Sequence, residues 1–423
     1  MSKSMHDDGV DEQGHKFACR GCAQQVSRSF VDLGMSPLCQ THIEPQALNQ
    51  AEVFYPLHAY ICDSCMLVQL DEYVAPDQIF SDYAYFSSYS DSWVAHAKRY
   101  VEMAVERFAL DGGSRVYEIA SNDGYLLQHF VARGVPCTGV EPAANVAEEA
   151  RKKGVPTEVM FFGENTARQL VARHGLADLI LGNNVLAHVP KLNDFVPGMK
   201  ALLKPGGAIT MEFPHLLQLM QNNQFDTIYH EHFSYFTFFV VESVFARHGL
   251  TMFDVEELPV HGGSIRIYAQ HEGGPHAVTP NVARLKAVES DYGLTDFAIY
   301  EQFADNVKVT KRKLLRFLIE AHDAGKTVAG YGAPGKGNTL LNYCGIGRDL
   351  MSFTVDRSPH KYGRYTPGTR IPIRHPDAIA RSRPDYVLIL PWNLEKEITA
   401  QLQFIGEWGG RCVVPIPEVR LCD

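Results

Sequence analysis

The sequence predicts an α/β protein in which a small cysteine-rich module precedes two doubly wound, mainly parallel sheets. Three observations carry this. Two C-x-x-C pairs stand before residue 70. From Ser114 onward, short apolar runs alternate with helical stretches, the pattern of parallel strands covered on both faces by crossover helices. After a long helical stretch near residue 300 the alternation begins a second cycle. At 423 residues the chain has room for about three domains. The composition shifts divide it into a disordered tail over 1–15, a zinc-binding module over 16–80, a cofactor domain over 81–300 and a C-terminal domain over 301–423.

Composition excludes several classes. No stretch approaches the ~18 apolar residues that span a bilayer, so no membrane partner is expected. Lys and Arg total 39 against 49 for Asp and Glu, a net charge of -10, and no segment concentrates positive charge enough for nucleic acid. The first 13 residues are polar and acidic with no apolar core of a signal peptide, which favours a frayed tail and a cytoplasmic location.

Cys19-Arg-Gly-Cys22 and Cys62-Asp-Ser-Cys65 each place two thiolates on one side of a tight turn, at ~2.3 Å from a zinc ion, and together they make one tetrahedral site. Free thiols or a redox pair are the competing reading. Four thiolates leave no open coordination position, so this zinc is structural. Cys39, outside the pairs, reads as a buried thiol in a packed loop.

Residues 66–70 form an apolar run that ends the module as a strand. The polar-aromatic stretch 81–90 lacks periodicity and reads as a binding loop. Over 93–110, Val94, Ala97, Val101, Ala104 and Phe108 fall at helical spacing. Strands follow at 116–119, 138–140, 179–181 and 208–211, then a helix over 303–324 and strands at 327–331, 351–355 and 386–390.

The first strand of the middle sheet runs into a turn that offers Ala120, Asn122 and Gly124, with Glu118 just before it. Glu141 ends the next strand, about 20 residues on, where an acidic side chain can take both ribose hydroxyls. A nicotinamide dinucleotide would want the fuller G-x-G-x-x-G for its pyrophosphate. S-adenosylmethionine has no phosphates and tolerates this turn. Asn183, Asn184 and Val185, just past the strand over 179–181, stand where such sheets contact a cofactor; ordinary turns are the alternative.

Asp226-Thr-Ile-Tyr-His-Glu-His-Phe-Ser-Tyr235 is the densest cluster of reactive side chains. A histidine there can remove a proton beside a ketone if an enolate stabiliser is close, and Glu231 or a tyrosine can orient the ring or donate to the oxyanion. Metal binding competes, although the spacing is not His-Glu-x-x-His. His261-Gly-Gly-Ser264 leads into an alternating strand. It either brings His261, Ser264 or Arg266 to a ligand or forms a hairpin. The loop Gly332-Ala-Pro-Gly-Lys-Gly-Asn-Thr339 frees backbone amides at a helix start beside Lys336, which suits a diphosphate, but it is not a Walker loop. Asp356 and Lys361 follow the next strand, either at a ribose and a charge or as solvated loop residues.

In these motifs, together with Tyr83-Ala-Tyr-Phe-Ser-Ser-Tyr and Phe225-Asp-Thr-Ile-Tyr-His-Glu-His232, the chain resembles the three-domain, zinc-containing C-methyltransferases of deoxysugar biosynthesis, which act on nucleotide-linked 4-keto sugars. The match runs from Cys19 through the C-terminal domain. The resemblance implies zinc at the four paired cysteines, a middle S-adenosylmethionine domain and a Rossmann-like C-terminal domain, with a nucleoside-diphosphate-linked 4-keto-deoxysugar in the cleft they share. It implies His232 as base, with Tyr83, Tyr229 and Glu231 nearby. The cofactor residues are then Glu118, Ala120, Asn122, Gly124, Glu141, Asn183, Asn184 and Val185. Tyr83, His261, Ser264, Gly332, Lys336, Gly337, Asn338 and Asp356 are assigned to the sugar nucleotide. Ala120 departs from the family's usual glycine. Methylation falls on C3 or C5 through an enolate. An O-methyltransferase and a non-catalytic sugar-nucleotide binding protein remain as alternatives. The cleft can be built within one chain, so a monomer is expected.

Overall fold

Two cysteine knuckles with the same hydrogen bonds open the fold. In each, the first cysteine's N–H reaches the carbonyl five residues on, and its own carbonyl accepts from the residue four on: Cys19 with Gln24 and Ala23, Cys62 with Leu67 and Met66. Ala23 and Met66 both take the left-handed backbone that closes such a turn. The computed structural model describes residues 16–76, 78 and 86–422; the tail expected over 1–15, and Tyr83, lie outside the described residues.

The first knuckle joins strands β1 (Phe17–Ala18) and β2 (Gln25–Val26). Strands β3 (Arg28–Ser36), β4 (Tyr55–Ile61) and β5 (Val68–Leu70) make an antiparallel sheet whose fourth member, β11 (Ser234–Tyr235), comes from far along the chain. One face of this sheet packs on the long helix Phe297–Asp323, with Phe30 stacked on Phe303 at 4.9 Å. That helix starts six residues before the apolar pattern suggests, because Asp296 accepts from the Ala298 N–H and caps it.

The middle sheet has the order β12-β13-β10-β9-β6-β7-β8. Its parallel core is β6 (Val116–Ile119), β7 (Cys137–Val140), β8 (Thr157–Glu158), β9 (Ala177–Asn183) and β10 (Leu203–Pro214). All four residues of β6 are buried, as expected for a strand covered on both faces. The helix Asp91–Arg107 covers one face with Ala97, Tyr100, Val101 and Ala104, and Ser90 caps it through the Trp93 N–H. At the far edge the sheet is not parallel. β13 (Ser264–His271) runs antiparallel to both β10 and β12 (Leu250–Leu258), so the 259–263 segment is a hairpin loop, turned by Gly262 and Gly263 at φ 91° and 114°.

The C-terminal sheet has the order β16-β15-β14-β17-β18-β19. Four of its strands are β14 (Val328–Tyr331), β15 (Thr354–Val355), β16 (Ile373–Arg374) and β17 (Tyr386–Ile389), with β18 (Arg411–Val414) and antiparallel β19 (Arg420–Leu421) completing it. β15 is shorter than the apolar run 351–355 suggests, since Met351 and Phe353 are buried as loop residues. Each large sheet reverses its strand order at its first strand, β6 or β14, and a crevice opens at the carboxyl end of such a strand. Among the described residues no helix is long and apolar enough to cross a membrane.

Candidate active site

A cavity of about 770 Å³ joins the carboxyl ends of β6, β7 and β9 to the glycine loop after β14, with the N-terminal module contributing Gln40, Glu72 and Ala75. Of the expected residues, Ala120, Asn122, Glu141, Asn183, Asn184, Val185, Tyr229, Glu231, His232, His261 and Lys336 line it. Glu118, Gly124, Ser264, Gly332, Gly337, Asn338 and Asp356 do not. Ser264 bonds to the Val260 carbonyl, Asn338 to the Cys39 carbonyl and Asp356 to the Ala333 N–H, so these three side chains are spent on shaping loops. Gly332 packs where a Cβ would stand 2.6 Å from Pro391, and Gly337 where it would stand 2.9 Å from Leu390. Arg266 is turned away into a buried pair with Glu212 at 2.5 Å.

At the middle-sheet end, Glu141 accepts from the Asn122 and Ala143 N–H groups, each at 2.9 Å. Burial pushes its carboxyl up, and those two bonds oppose the push. Glu118 lies beneath the turn, fully buried, with both oxygens unpartnered among the described residues. Burial, with Glu141 and Asp123 adding to it, raises its carboxyl well above the usual range. Ala120, Asn122 and Gly124 all have positive φ, which folds the turn back toward the strand tips. The Asn183 Nδ2 and Asn184 Oδ1 atoms are buried without partners among the described residues, near apolar Met160, Phe162 and Val185. Unpaired buried polar atoms next to an apolar wall fit a nucleoside with a polar tail, and so these residues fit S-adenosylmethionine.

Across the cavity, the His232 ring bonds through Nδ1 to the Thr227 carbonyl at 2.9 Å. A carbonyl only accepts, so Nδ1 carries the proton and the neutral ring's lone pair sits on Nε2. The Tyr229 ring packs 4.1 Å from it and the His188 ring 4.7 Å, edge to face. His188 has the same tautomer, its Nδ1 donating to the Glu231 carbonyl at 2.7 Å. Burial holds His188 down at about 4 and His232 well below the ordinary histidine value. His261 has φ 55° and packs edge-on to Trp93 at 4.7 Å. It is thus both in a hairpin and at the cavity.

Lys336 donates to Asn393 at 2.7 Å and lies over the Trp392 ring, whose indole N–H donates to buried Asp226 at 2.7 Å. Burial lowers Lys336 to about 8 and raises Asp226 to about 7, each group's charge opposing the other's shift. His188, Trp93 and Thr227 also line the cavity although no site role was assigned to them; Thr227 lies within the Asp226–Tyr235 cluster and His188 three residues past Val185.

The four paired cysteines meet with all ligand atoms within 4.8 Å, and the Cys19–Cys65 and Cys22–Cys62 sulfurs 3.5 Å apart. That spacing and donor set fit tetrahedral zinc. Gln69, fully buried, donates to the Cys19 sulfur at 3.2 Å and accepts from the Arg20 N–H, a supporting contact of the kind that orients ligands.

Comparison with known proteins gives three domain families. A domain described as zinc binding matches residues 19–80, a methyltransferase domain 93–255, and a C-methyltransferase C-terminal domain 259–417. C-methyltransferase NovU of Streptomyces niveus is 39% identical over 406 residues, covering 95% of this chain and 96% of that protein. Among solved structures, a Pyrococcus horikoshii OT3 protein covers 48% of this chain and 99% of its own at 16% identity and a TM-score of 0.37. Magnesium protoporphyrin IX methyltransferase of Synechocystis PCC 6803, with bound SAH, covers 42% of this chain and 82% of its own at 14% identity and a TM-score of 0.34.

Proposed function

We propose, for a chain that belongs to the zinc-binding, S-adenosylmethionine-dependent C-methyltransferase family, that it methylates the carbon beside the ketone, C3 or C5, of a nucleoside-diphosphate-linked 4-keto-deoxysugar in branched-chain deoxysugar biosynthesis. The observation that carries this is the half-buried His232 ring, fixed through Nδ1 so that Nε2 keeps its lone pair in a cavity shared by the three modules.

A 4-keto group acidifies the hydrogen on the adjacent carbon, and His232 Nε2 takes that proton. Burial keeps the ring neutral, so it is ready to accept at neutral pH. Tyr229, with Tyr83 as its partner from the loop, donates to the enolate oxygen, and Glu231 orients the group. When bound, S-adenosylmethionine supplies a methyl group on a sulfonium, an electrophile for the carbon that His232 has deprotonated. Glu141 receives the ribose hydroxyls, with Asn183, Asn184 and Val185 against the rest of the nucleoside. On the sugar-nucleotide side, Lys336, the amides at the start of the helix Gly335–Cys344 and His261 take the diphosphate and sugar. Every described residue named comes from one copy of the chain, so a monomer suffices for the site, and the proposed place of action is the cytoplasm.

The test incubates a panel of nucleotide-linked 4-keto-deoxysugars with methyl-labelled S-adenosylmethionine in deuterated water, read by mass spectrometry. A label on carbon beside the ketone supports the reading and identifies C3 or C5. A label on oxygen makes the protein an O-methyltransferase, and deuterium uptake without any methyl leaves it without transfer activity.

A further inference from the structure

Cys39 belongs to neither C-x-x-C pair, and the fold carries it to the catalytic side of the molecule. It sits in the loop between β3 and β4, buried, with its sulfur 3.6 Å from Glu231 Oε1. Two contacts from the helix Gly335–Cys344 of the C-terminal domain hold it there. The Asn338 amide donates to the Cys39 carbonyl at 2.6 Å. At Gly335 even a Cβ would stand 2.9 Å from the sulfur, so the glycine loop closes directly onto the thiol. The charged and titratable groups around it are Glu231, Lys361 and Tyr235. Burial and the Glu231 charge push the thiol well above its ordinary value, with Lys361 opposing, so the sulfur keeps its proton and Glu231 is the acceptor. Glu231 in turn precedes His232 in the chain and holds the His188 ring through its own carbonyl.

We propose that Cys39 is a positioning residue for the transfer reaction: its thiol, locked by Asn338 and Gly335, holds the Glu231 carboxylate in place beside His232. This rests on the reaction proposed above. It gives Asn338, which does not reach the cavity itself, a task in the site, and it explains why the glycine loop, the N-terminal loop and the His232 segment meet at one point.

The test has two arms. Infrared difference spectra in the S–H stretching region compare the protein with Glu231→Gln, using Cys39→Ala, or Cys39→Ser if alanine does not fold, to assign the Cys39 band. The exchange of the substrate's acidic C–H with deuterated water is measured for the wild type, Cys39→Ala, Glu231→Gln and the double variant, with serine again replacing alanine where needed. The expected result is a Cys39 band that shifts to higher frequency in Glu231→Gln. Exchange should slow roughly tenfold in Cys39→Ala at unchanged KM, and the Cys39 substitution should add nothing in the Glu231→Gln background. A band that does not respond to Glu231→Gln, exchange at the wild-type rate in the Cys39 variant, or two substitutions whose effects multiply would each overturn the proposal. If the wild type exchanges no deuterium, the proposed reaction fails, and the infrared arm still decides the Cys39–Glu231 contact.

Discussion

His232 has its Nδ1 proton committed to the Thr227 carbonyl, so the only basic position it can offer is Nε2. Asparagine can keep a donor toward Thr227 but has no basic nitrogen. His232→Asn is therefore expected to lose at least ~100-fold in turnover while S-adenosylmethionine affinity, measured by calorimetry, stays near wild type. Burial is also the main reason that His188 and His261 titrate at about 4 and His232 well below its ordinary value. A histidine depressed in the folded state favours folding fully above its unfolded pKa of about 6.5. That contribution drains away as pH falls from there toward 4, because the unfolded chain takes up the protons first. The denaturant midpoint should accordingly fall between pH 7 and pH 4.5. The acid limb of kcat/KM should lie well below 6.5; a limb at the ordinary histidine value would remove the neutral, half-buried His232 from the role of base.

The turn after β6 and the pairing of β5 with β11 are the two elements on which the site depends. Gly124, at φ 75°, faces Val155 and Ala150 so closely that a Cβ would lie 3.0 and 3.2 Å from them. Gly124→Ala combines a left-handed alanine with that crowding and should cost roughly 2 kcal/mol, read from denaturant unfolding, with weaker cofactor binding. Ala120 already has φ 56° one turn earlier, which explains why glycine suits that position and why alanine there is tolerated at a cost of about 1 kcal/mol. The second element ties zinc to chemistry. β11 follows His232 by one residue and pairs with β5, while Arg20 in the first knuckle donates to the Phe233 and Leu70 carbonyls. Removing zinc with a chelator, or substituting Cys62→Ala, should open the N-terminal sheet to protease and abolish turnover, although no zinc ligand lines the cavity. A chelated protein with an intact N-terminal region and normal turnover would break this link.

At the scale of the molecule, the short turn Phe225–Thr227 and the C-terminal domain are joined beside the cavity by the chain Asp226, Trp392 and Lys336, with Lys336 reaching the cavity wall. Trp392→Phe keeps an aromatic ring but deprives buried Asp226 of its indole donor, and its other oxygen already has no partner among the described residues. The expected loss is about 1–3 kcal/mol in unfolding free energy, with a higher KM for the sugar nucleotide because Lys336 loses its backing. Thermal unfolding and steady-state kinetics check the two effects separately. The charge Lys336 carries at neutral pH depends on this buried partner, an arrangement invisible along the chain because Asp226 and Trp392 are 166 residues apart.

What the sequence determined by itself is what short stretches of chain decide. Each knuckle needs only two cysteines and one left-handed residue within six positions. A buried parallel strand announces itself as an apolar run, and a glycine turn at a strand end marks where a ligand can approach. Those features located the four clustered cysteines, both large sheets and part of the cavity lining, Ala120, Asn122, Asn183 and Lys336 among it. Tertiary structure alone decided the rest, because it depends on which side chains meet after long-range packing. The antiparallel edge of the middle sheet comes from β13 pairing on both sides. The pinning of the His232 segment comes from β11 pairing with β5, Ser234 opposite Gln69, 165 residues earlier, a separation that no local pattern can encode. The same holds for the inward turn of Arg266, the diversion of Ser264, Asn338 and Asp356 into loop bonds, and the approach of Cys39 to Glu231. Periodicity can say that a residue is buried, but only the assembled fold settles what it is buried against.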